Sequence, residues 1–336
     1  MITLLAGDIG GTKTLLSLHA AADLRPLAEA RYRSADWPDL AAMVCHFLAE
    51  HHPANPRPAA ACFAVAGPVQ AGQARLTNLP WHLEEGDLAR RCSLERVELV
   101  NDFAVLIYGL PHLQAHQQAL IRPGQAQAGA PLLILGAGTG LGVAIGIPTD
   151  SGLQAVASEA AHADFAPRNS EQWELRQWLC ADLNLPRLSI ERIVSGTGLG
   201  HVARWLLRRP QWNHHPLTST ARLWREEAAE HDLPAAVAAA ATAGDPLGGE
   251  ALALWLSTYG AVCGDLALAC LPRGGIWLAG GTAGKLLEAL RSPVFSEAYL
   301  AKGRLSPVLE PIPIQAVTDA AIGSFSAACR ARMLLA

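Results

Sequence analysis

Two glycine-rich turns constrain the fold of this chain more than any other feature of its sequence. The first turn, Gly7–Thr12, separates strand-length apolar runs that begin at Ile2 and Leu15. The second turn, Gly136–Gly142, follows an apolar run that begins at Leu132 and precedes another. Short apolar runs bounded by glycines are typical of buried strands. A strand–turn–strand unit that occurs twice predicts two related α/β lobes.

The residue types in these turns suit the binding of a polyphosphate. Glycines allow backbone N–H groups to approach phosphate oxygens closely, and a threonine hydroxyl, from Thr12 or Thr139, adds a further donor. Asp8 is placed to hold Mg²⁺ directly or through water. An ordinary β-hairpin turn is the alternative interpretation of the first motif. Two such turns in one chain favour a phosphate that is bound from two sides.

Two better-known phosphate motifs do not match these turns. A P-loop that starts at Gly7 requires a glycine where Thr12 stands, and the residues that follow are typical of a strand rather than a helix. A dinucleotide-binding motif that starts at Gly136 requires a glycine where Leu141 stands, and one that starts at Gly138 requires it at Val143. We therefore expect a phosphate site of a different type.

Hydrophobic periodicity predicts the remaining elements. Apolar residues from Leu40 to Leu48 recur at helical spacing, whereas residues 59–66 and 96–100 are typical of strands, the second ending at Asn101. Residues 111–131, rich in Gln, Gly and Pro, are predicted to form a loop. A late strand is predicted at 275–279, and further helices at 171–181, 198–207, 235–241, 246–270, 282–290 and 319–335.

Composition limits the classes of function. The 336 residues are sufficient for about two domains, and 51% hydrophobic against 17% charged residues predicts extensive cores. A net charge of -4 with scattered Lys and Arg does not favour nucleic acid as a partner. Residues 123–149 carry no charge, but their polar side chains and glycines argue against a membrane span. Seven cysteines without a C-x-x-C pair, and no basic N-terminal segment, predict free thiols and a cytoplasmic location.

Seven motifs, in order along the chain, resemble the bacterial ATP-dependent glucokinase family. They are Gly7–Thr12, Leu76–Trp81, Asn101–Phe103, Gly136–Gly142, Glu159–Pro167, Glu191–Gly198 and Leu278–Gly281. This resemblance implies an α/β protein with the two-lobed actin-like (ribonuclease H-like) ATPase fold and a cleft between the lobes. It further implies a small domain of residues 1–110 with 318–336 and a large domain of residues 111–317.

The resemblance also implies an activity: phosphorylation of D-glucose to glucose 6-phosphate by ATP, the entry step of glycolysis. ATP and Mg²⁺ are the implied cofactors, glucose the substrate, and a cytoplasmic homodimer the implied assembly, without nucleic acid or membrane partners. Asp102 is implied as the general base on the 6-hydroxyl. The implied sugar ligands are Asn78, Asn101, Asp102, Glu159, His162 and Glu191. The implied ATP contacts are Gly7, Asp8, Ile9, Gly10, Gly11, Thr12, Gly138, Thr139, Gly140, Gly280 and Gly281, with Asp8 also at Mg²⁺.

Elementary chemistry agrees with these roles, because a sugar hydroxyl needs an oriented proton acceptor and phosphoryl transfer needs positioning and charge compensation. Glu159 and His162 are three residues apart, which one helical turn would place side by side. The chain departs from the family at Ala160-Ala161, where two glycines are usual, and at Lys13, where asparagine is usual.

Three alternatives remain open at this stage. The first is a kinase for another hexose or an N-acetylated amino sugar. The second is a non-catalytic, sugar-sensing regulator. A repressor of that kind would need DNA-binding helices before the first turn, where only six residues precede Gly7. The third, an actin-like or chaperone ATPase, would share the phosphate turns but not the sugar set. Zinc is not expected, because the chain has no cysteine-rich motif.

Overall fold

A computed structural model describes residues 1–52, 57–76, 79–150, 152–224, 230–319 and 321–335. Its strands, in chain order, are β1 Thr3–Ile9, β2 Lys13–Ala20, β3 Pro26–Arg33, β4 Ala60–Val65, β5 Val69–Gln70, β6 Gln73–Arg75, β7 His82–Glu84, β8 Val97–Asn101, β9 Gln118–Arg122, β10 Leu132–Ala137, β11 Leu141–Thr149, β12 Gly152–Ser158, β13 Gly275–Ala279 and β14 Ile314–Val317. Its α-helices are α1 Leu40–His51, α2 Glu85–Cys92, α3 Leu106–Gly109, α4 Ser170–Asp182, α5 Gly196–Leu206, α6 Leu217–Leu223, α7 Leu233–Thr242, α8 Pro246–Cys270, α9 Gly281–Lys285, α10 Leu287–Leu290, α11 Pro293–Leu300, α12 Ser306–Leu309 and α13 Ile322–Met333.

The chain forms two compact units, and the first comprises residues 1–117, 144–157 and 319–336. Its main sheet has the strand order β3-β2-β1-β4-β8. β1, β4 and β8 are parallel neighbours, whereas β2 and β3 are antiparallel. Apolar side chains of α1, including Phe47, pack with Leu5 and Phe63 of the sheet in one buried core. Because the three central strands run in the same direction, their carboxyl ends lie at one edge of the sheet.

The second unit comprises residues 118–143 and 158–318. Within it, β10, β13, β14 and β9 are neighbours in that order, the first three parallel and β9 antiparallel. α8 is the central helix of this unit and fully buries Trp255, whose indole N–H donates to the carbonyl of Ser195. In the described part of the chain α8 alone is long and apolar enough to cross a membrane, but 67% of its most apolar window is buried inside the protein. That burial is typical of a core helix.

The structure confirms the predicted α/β class and most of the predicted elements. Both glycine turns lie between strands, and α8 and β13 have the predicted bounds. Three expectations were wrong in detail. The predicted loop 111–131 contains β9, the helix expected over 282–290 is interrupted at Leu286, and the last helix begins at Ile322 rather than Asp319. β9 was missed because its apolar run is only three residues long, Ala119–Ile121, and lies in a segment rich in Gln and Pro, so its strand conformation depends on antiparallel pairing with β14.

Candidate active site

The first unit gathers two of the predicted motifs at one edge of its sheet. β1 and β4 pair with Ile9 beside Val65, and β4 and β8 pair with Val65 beside Asn101. The Gly7–Thr12 turn and Asp102 therefore leave the sheet at the same edge. The carboxyl ends of parallel strands are the usual location of ligand sites in α/β proteins.

The first glycine turn is a tight hairpin held by backbone and serine contacts. The Gly10 N–H donates to the carbonyl of Lys13 over 3.0 Å, and the Ser34 hydroxyl donates to the carbonyl of Gly10 over 3.1 Å. A Cβ atom on Gly7 would lie 2.6 Å from the Phe63 ring, which explains why glycine stands there. The strand β2 follows the turn, as expected, and this excludes the P-loop.

Asn101 orients Asp102. Its side-chain oxygen accepts hydrogen bonds from the N–H groups of Phe103 and Ala104, at 3.1 and 3.0 Å. Its amide nitrogen donates to the carbonyl of Gly67 and to Oδ1 of Asp102, both at 3.1 Å. Asn101 thus uses both amide hydrogens and its oxygen within the protein. This arrangement holds the neighbouring carboxylate in one orientation while leaving it exposed.

The two carboxylates of this edge influence each other. Burial raises the pKa of Asp8 above its ordinary value. The pKa of Asp102 is raised mainly by desolvation and additionally by the negative charge of Asp8, against the smaller lowering effect of hydrogen bonds. A carboxylate with a raised pKa is a stronger proton acceptor than an ordinary aspartate. Asp102 is therefore held in one orientation and is a stronger proton acceptor than an ordinary aspartate.

Asp8 also fits the ligand set of Mg²⁺. This ion usually keeps several waters and takes one or two carboxylates together with substrate phosphates. Burial makes the negative charge of Asp8 costly, as its raised pKa shows, and a bound cation would stabilise that charge. In the described residues, no cluster of three or more His, Cys, Asp or Glu could hold a metal ion. Asp8 suits a single protein contact, direct or through water, to a phosphate-bound ion.

The second glycine turn is fixed by the start of α5. The Gly138 N–H donates to the carbonyl of Gly140 over 2.8 Å, which closes the turn. The Gly196 N–H donates to the carbonyl of Gly138 over 2.7 Å, and the Thr197 hydroxyl donates to the carbonyl of Thr139 over 2.8 Å. The first residues of α5 therefore define the conformation of the turn.

The third glycine motif lies against the same turn. Gly280 has a φ of +84°, and a Cβ atom there would lie 2.6 Å from the carbonyl oxygen of Ala137. The Thr282 hydroxyl donates to that carbonyl over 2.7 Å. Only glycine combines this backbone conformation with this close approach. The structure therefore brings Gly280 and Gly281 next to the turn that contains Gly138.

These segments line a cavity of about 450 Å³ in the second unit. Gly138, Thr139 and Gly281, all predicted as nucleotide contacts, belong to its wall. Other residues of the wall were not predicted, including Leu199, Trp224, Pro234, Ala238 and Lys285. Lys285 offers a positive charge and Trp224 an aromatic surface, which together suit a nucleoside phosphate. Their separation along the sequence gave no motif that could have identified them.

The predicted sugar ligands of the second unit lie in two short segments that pack together. Glu159 precedes a single 3₁₀ turn that ends at His162, and their Oε2 and Nε2 atoms are 3.6 Å apart. The Ile190 N–H donates to the carbonyl of Ala163 over 2.9 Å, so the segment that carries Glu191 lies beside this turn. The Glu159 side chain is 85% exposed and that of His162 is 54% exposed, which leaves both open to a ligand. Asn78 lies outside the described residues.

Comparison with known proteins identifies close relatives of the whole chain. The sequence model of the glucokinase family matches residues 5–334. A glucokinase of Nostoc sp. (strain PCC 7120) is 40% identical over 344 aligned residues, covering 99% of this chain and 100% of the relative. The crystal structure of a glucokinase from an Antarctic psychrotroph has a TM-score of 0.80 at 27% identity, covering 98% and 99% of the two chains. The crystal structure of a ROK family glucokinase from Streptomyces griseus, in complex with glucose and AMPPNP, has a TM-score of 0.62 at 21% identity. This match covers 98% of the present chain and 99% of the other.

Proposed function

This chain belongs to the glucokinase family, and from that membership we propose that it transfers the γ-phosphoryl group of ATP to the 6-hydroxyl of D-glucose. The observation that carries the proposal is the family match over residues 5–334, which includes every motif of the candidate site. The products are glucose 6-phosphate and ADP, so the enzyme catalyses the entry of glucose into glycolysis.

Asp102 is the proposed general base. Asn101 orients its carboxylate, and its raised pKa favours removal of the proton from the 6-hydroxyl as that oxygen attacks the γ-phosphorus. The proton passes to a carboxylate oxygen of Asp102, and ADP leaves with the electrons of the broken bond. Exposure of Asp102 allows the sugar to approach.

The remaining hydroxyls of the sugar need acceptors and donors in fixed positions. Glu159, His162 and Glu191 supply them in the second unit, and Asn78 completes the proposed set. Asn101, predicted as a sugar ligand, uses its side-chain amide within the protein, and its proposed role is to orient Asp102. A bound sugar covers these groups, so a sugar that lacks one hydroxyl leaves a covered polar group without a partner and binds less well. This is the proposed source of substrate selectivity.

The nucleotide has two proposed contact regions. The Gly138–Gly140 turn with Gly280 and Gly281 borders the cavity that suits the nucleoside and its first phosphates. The proposed contacts in the first unit are Gly7, Asp8, Ile9, Gly10, Gly11 and Thr12. Bound Mg²⁺ would compensate the charge on the phosphates, and Asp8 would hold it directly or through water.

The location and assembly are also part of the proposal. All seven cysteines are free thiols, which is typical of a reducing compartment such as the cytoplasm. We expect a homodimer by the family resemblance, and light scattering coupled to size-exclusion chromatography would measure its mass.

A phosphorylation assay tests the function. The purified chain would be supplied with ATP, Mg²⁺ and glucose, mannose, fructose or N-acetylglucosamine in turn. Glucose is expected to give the highest kcat/KM. A clear preference for N-acetylglucosamine or another hexose would replace the proposed substrate, and no turnover with any sugar would contradict kinase function.

A further inference from the structure

Glu191 contacts the second glycine turn directly, although sequence motifs place it with the sugar ligands. Its Oε2 atom accepts a hydrogen bond from the Leu141 N–H over 2.9 Å. A Cβ atom on Gly140 would lie 2.5 Å from the same oxygen. The carboxylate therefore occupies the space that a side chain at position 140 would need.

The residues after Glu191 hold the same turn. The first residues of α5, Gly196 and Thr197, donate to the carbonyls of Gly138 and Thr139, at 2.7 and 2.8 Å. This segment is itself closely packed, because a Cβ atom on Gly198 would lie 2.0 Å from the carbonyl oxygen of Ile193. One continuous segment thus holds the turn by three hydrogen bonds. They come from the carboxylate of Glu191, the N–H of Gly196 and the hydroxyl of Thr197.

Among the described residues, only Oε2 of the Glu191 carboxylate accepts a hydrogen bond, which leaves Oε1 for another. The contact with Leu141 uses Oε2, and the side chain is only half-buried. An ionised carboxylate accepts hydrogen bonds at both oxygens simultaneously, whereas an amide offers one accepting oxygen and a donating nitrogen. Glu191 is therefore suited to serve two neighbours at the same time.

We propose that Glu191 is a positioning residue for the nucleotide as well as a sugar ligand. Oε2 anchors the turn that contains Gly138 and Thr139, while Oε1 accepts a hydrogen bond from a sugar hydroxyl. The sugar part of this inference rests on the proposed function, and the nucleotide part rests on the contacts with Leu141 and Gly140.

A shared carboxylate couples the two substrates. A sugar hydroxyl on Oε1 fixes the side chain that fixes the turn, so each ligand lowers the cost of ordering the site for the other. Coupling of binding free energies is reciprocal. Glucose is therefore expected to tighten ADP binding by the same factor by which ADP tightens glucose binding, and Glu191→Ala is expected to remove this effect.

Titration calorimetry with MgADP, in the absence of sugar, tests the nucleotide part. Glu191→Ala is expected to weaken ADP binding about 10-fold, because a hydrogen bond to a charged group is lost from the turn. Glu159→Ala is the matched comparison: it removes a proposed sugar carboxylate that is 85% exposed, and its ADP affinity is expected to equal that of the wild type. Equal ADP affinity in Glu191→Ala and the wild type would overturn the proposal.

Two further variants separate anchoring from a general loss of structure. Glu191→Gln keeps an accepting oxygen for the Leu141 N–H, so ADP affinity is expected to be retained while glucose affinity falls. Gly140→Ala keeps the carboxylate but displaces it, and is expected to weaken ADP binding to a similar degree as Glu191→Ala. Gly249 of α8 is exposed, and no atom lies within 4 Å of a Cβ atom placed there, so Gly249→Ala is the control. Unchanged ADP affinity in Gly140→Ala would contradict the proposed anchor.

Failure of this inference and failure of the proposed function give different results. The ADP measurements contain no sugar and no phosphoryl transfer, so they report on the turn alone. If the wild type did not phosphorylate glucose, the proposed function would be wrong while a selective loss of ADP affinity in Glu191→Ala would still support the anchor.

Discussion

Asp102 is the residue on which the proposed chemistry depends most. Asp102→Asn retains the size of the side chain but removes the proton acceptor, so we expect kcat to fall roughly 10²–10⁴-fold. Glucose affinity should persist, because the other hydroxyl ligands are unchanged. Steady-state kinetics and glucose titration of the same preparation measure both quantities. Wild-type turnover in this variant would remove Asp102 from the mechanism.

The pKa of Asp102 predicts a pH dependence. The base acts when deprotonated, so activity is lost as pH falls through this pKa, and the raised value moves the acidic limb of kcat/KM above that of an ordinary aspartate. Because the charge of Asp8 contributes to the shift, Asp8→Asn should lower the pKa of Asp102. Carbon-13 NMR of the carboxyl group measures it without requiring turnover.

A second aspartate of the first unit provides the control for that titration. Asp87 pairs with Arg90 and Arg91 on the surface of α2, and Asp87→Asn should leave the Asp102 titration unchanged. If both variants shifted the pKa of Asp102 equally, the effect would come from net charge rather than from Asp8.

At the scale of elements, the sequence predicted the strands and helices that are identified by their hydrophobic pattern alone. β4, β10 and β13 are buried runs bounded by glycine or proline, and α8 is a long apolar helix that starts at Pro246. The edge strands β3 and β9 were not predicted. In β3, exposed or half-buried residues occupy every position, and its strand conformation depends on pairing with β2 rather than on local preference.

The packing of α8 against α11 depends on two glycines. A Cβ atom on Gly260 would lie 2.2 Å from the carbonyl oxygen of Phe295, and one on Gly264 would lie 2.4 Å from that of Tyr299. These glycines are four residues apart and lie on one face of α8. Backbone of α11 fills the space above them, so the two helices cannot accept a side chain between them without moving apart.

Gly260→Ala is therefore expected to destabilise the second unit by about 1–3 kcal/mol, the usual cost of forcing an extra group into a packed core. Gly249→Ala in the same helix meets no atom within 4 Å and should be neutral or stabilising by up to about 1 kcal/mol. Urea-unfolding midpoints of the two variants measure the difference. A Gly260→Ala protein as stable as Gly249→Ala would show that α11 can shift at little cost.

At the scale of the whole molecule, the candidate site shows where sequence reasoning ends. Glycine turns and the Asp102 motif are local, so short segments of sequence identified them. Lys285 and Trp224 meet Thr139 at one cavity only because α5, α7 and α9 are packed around it. The anchoring role of Glu191 likewise joins positions 141 and 191, which no local pattern connects.

Ligand binding should appear in the stability of the entire chain. A ligand that binds only the folded state stabilises it by RT ln(1 + [L]/Kd), so each tenfold increase in glucose well above Kd should add about 1.4 kcal/mol. The Tm of the wild type and of Asp102→Asn should therefore rise together with glucose concentration, because binding does not require the base. Glu159→Ala and His162→Ala should lose most of this rise. Sucrose at equal concentration corrects for non-specific stabilisation by excluded sugars.

The sugar-ligand variants and Asp102→Asn test different assignments. If glucose raised the Tm of both Glu159→Ala and His162→Ala as much as that of the wild type, the sugar site would lie elsewhere. If glucose failed to raise the Tm of Asp102→Asn alone, Asp102 would be required for glucose binding rather than for proton removal.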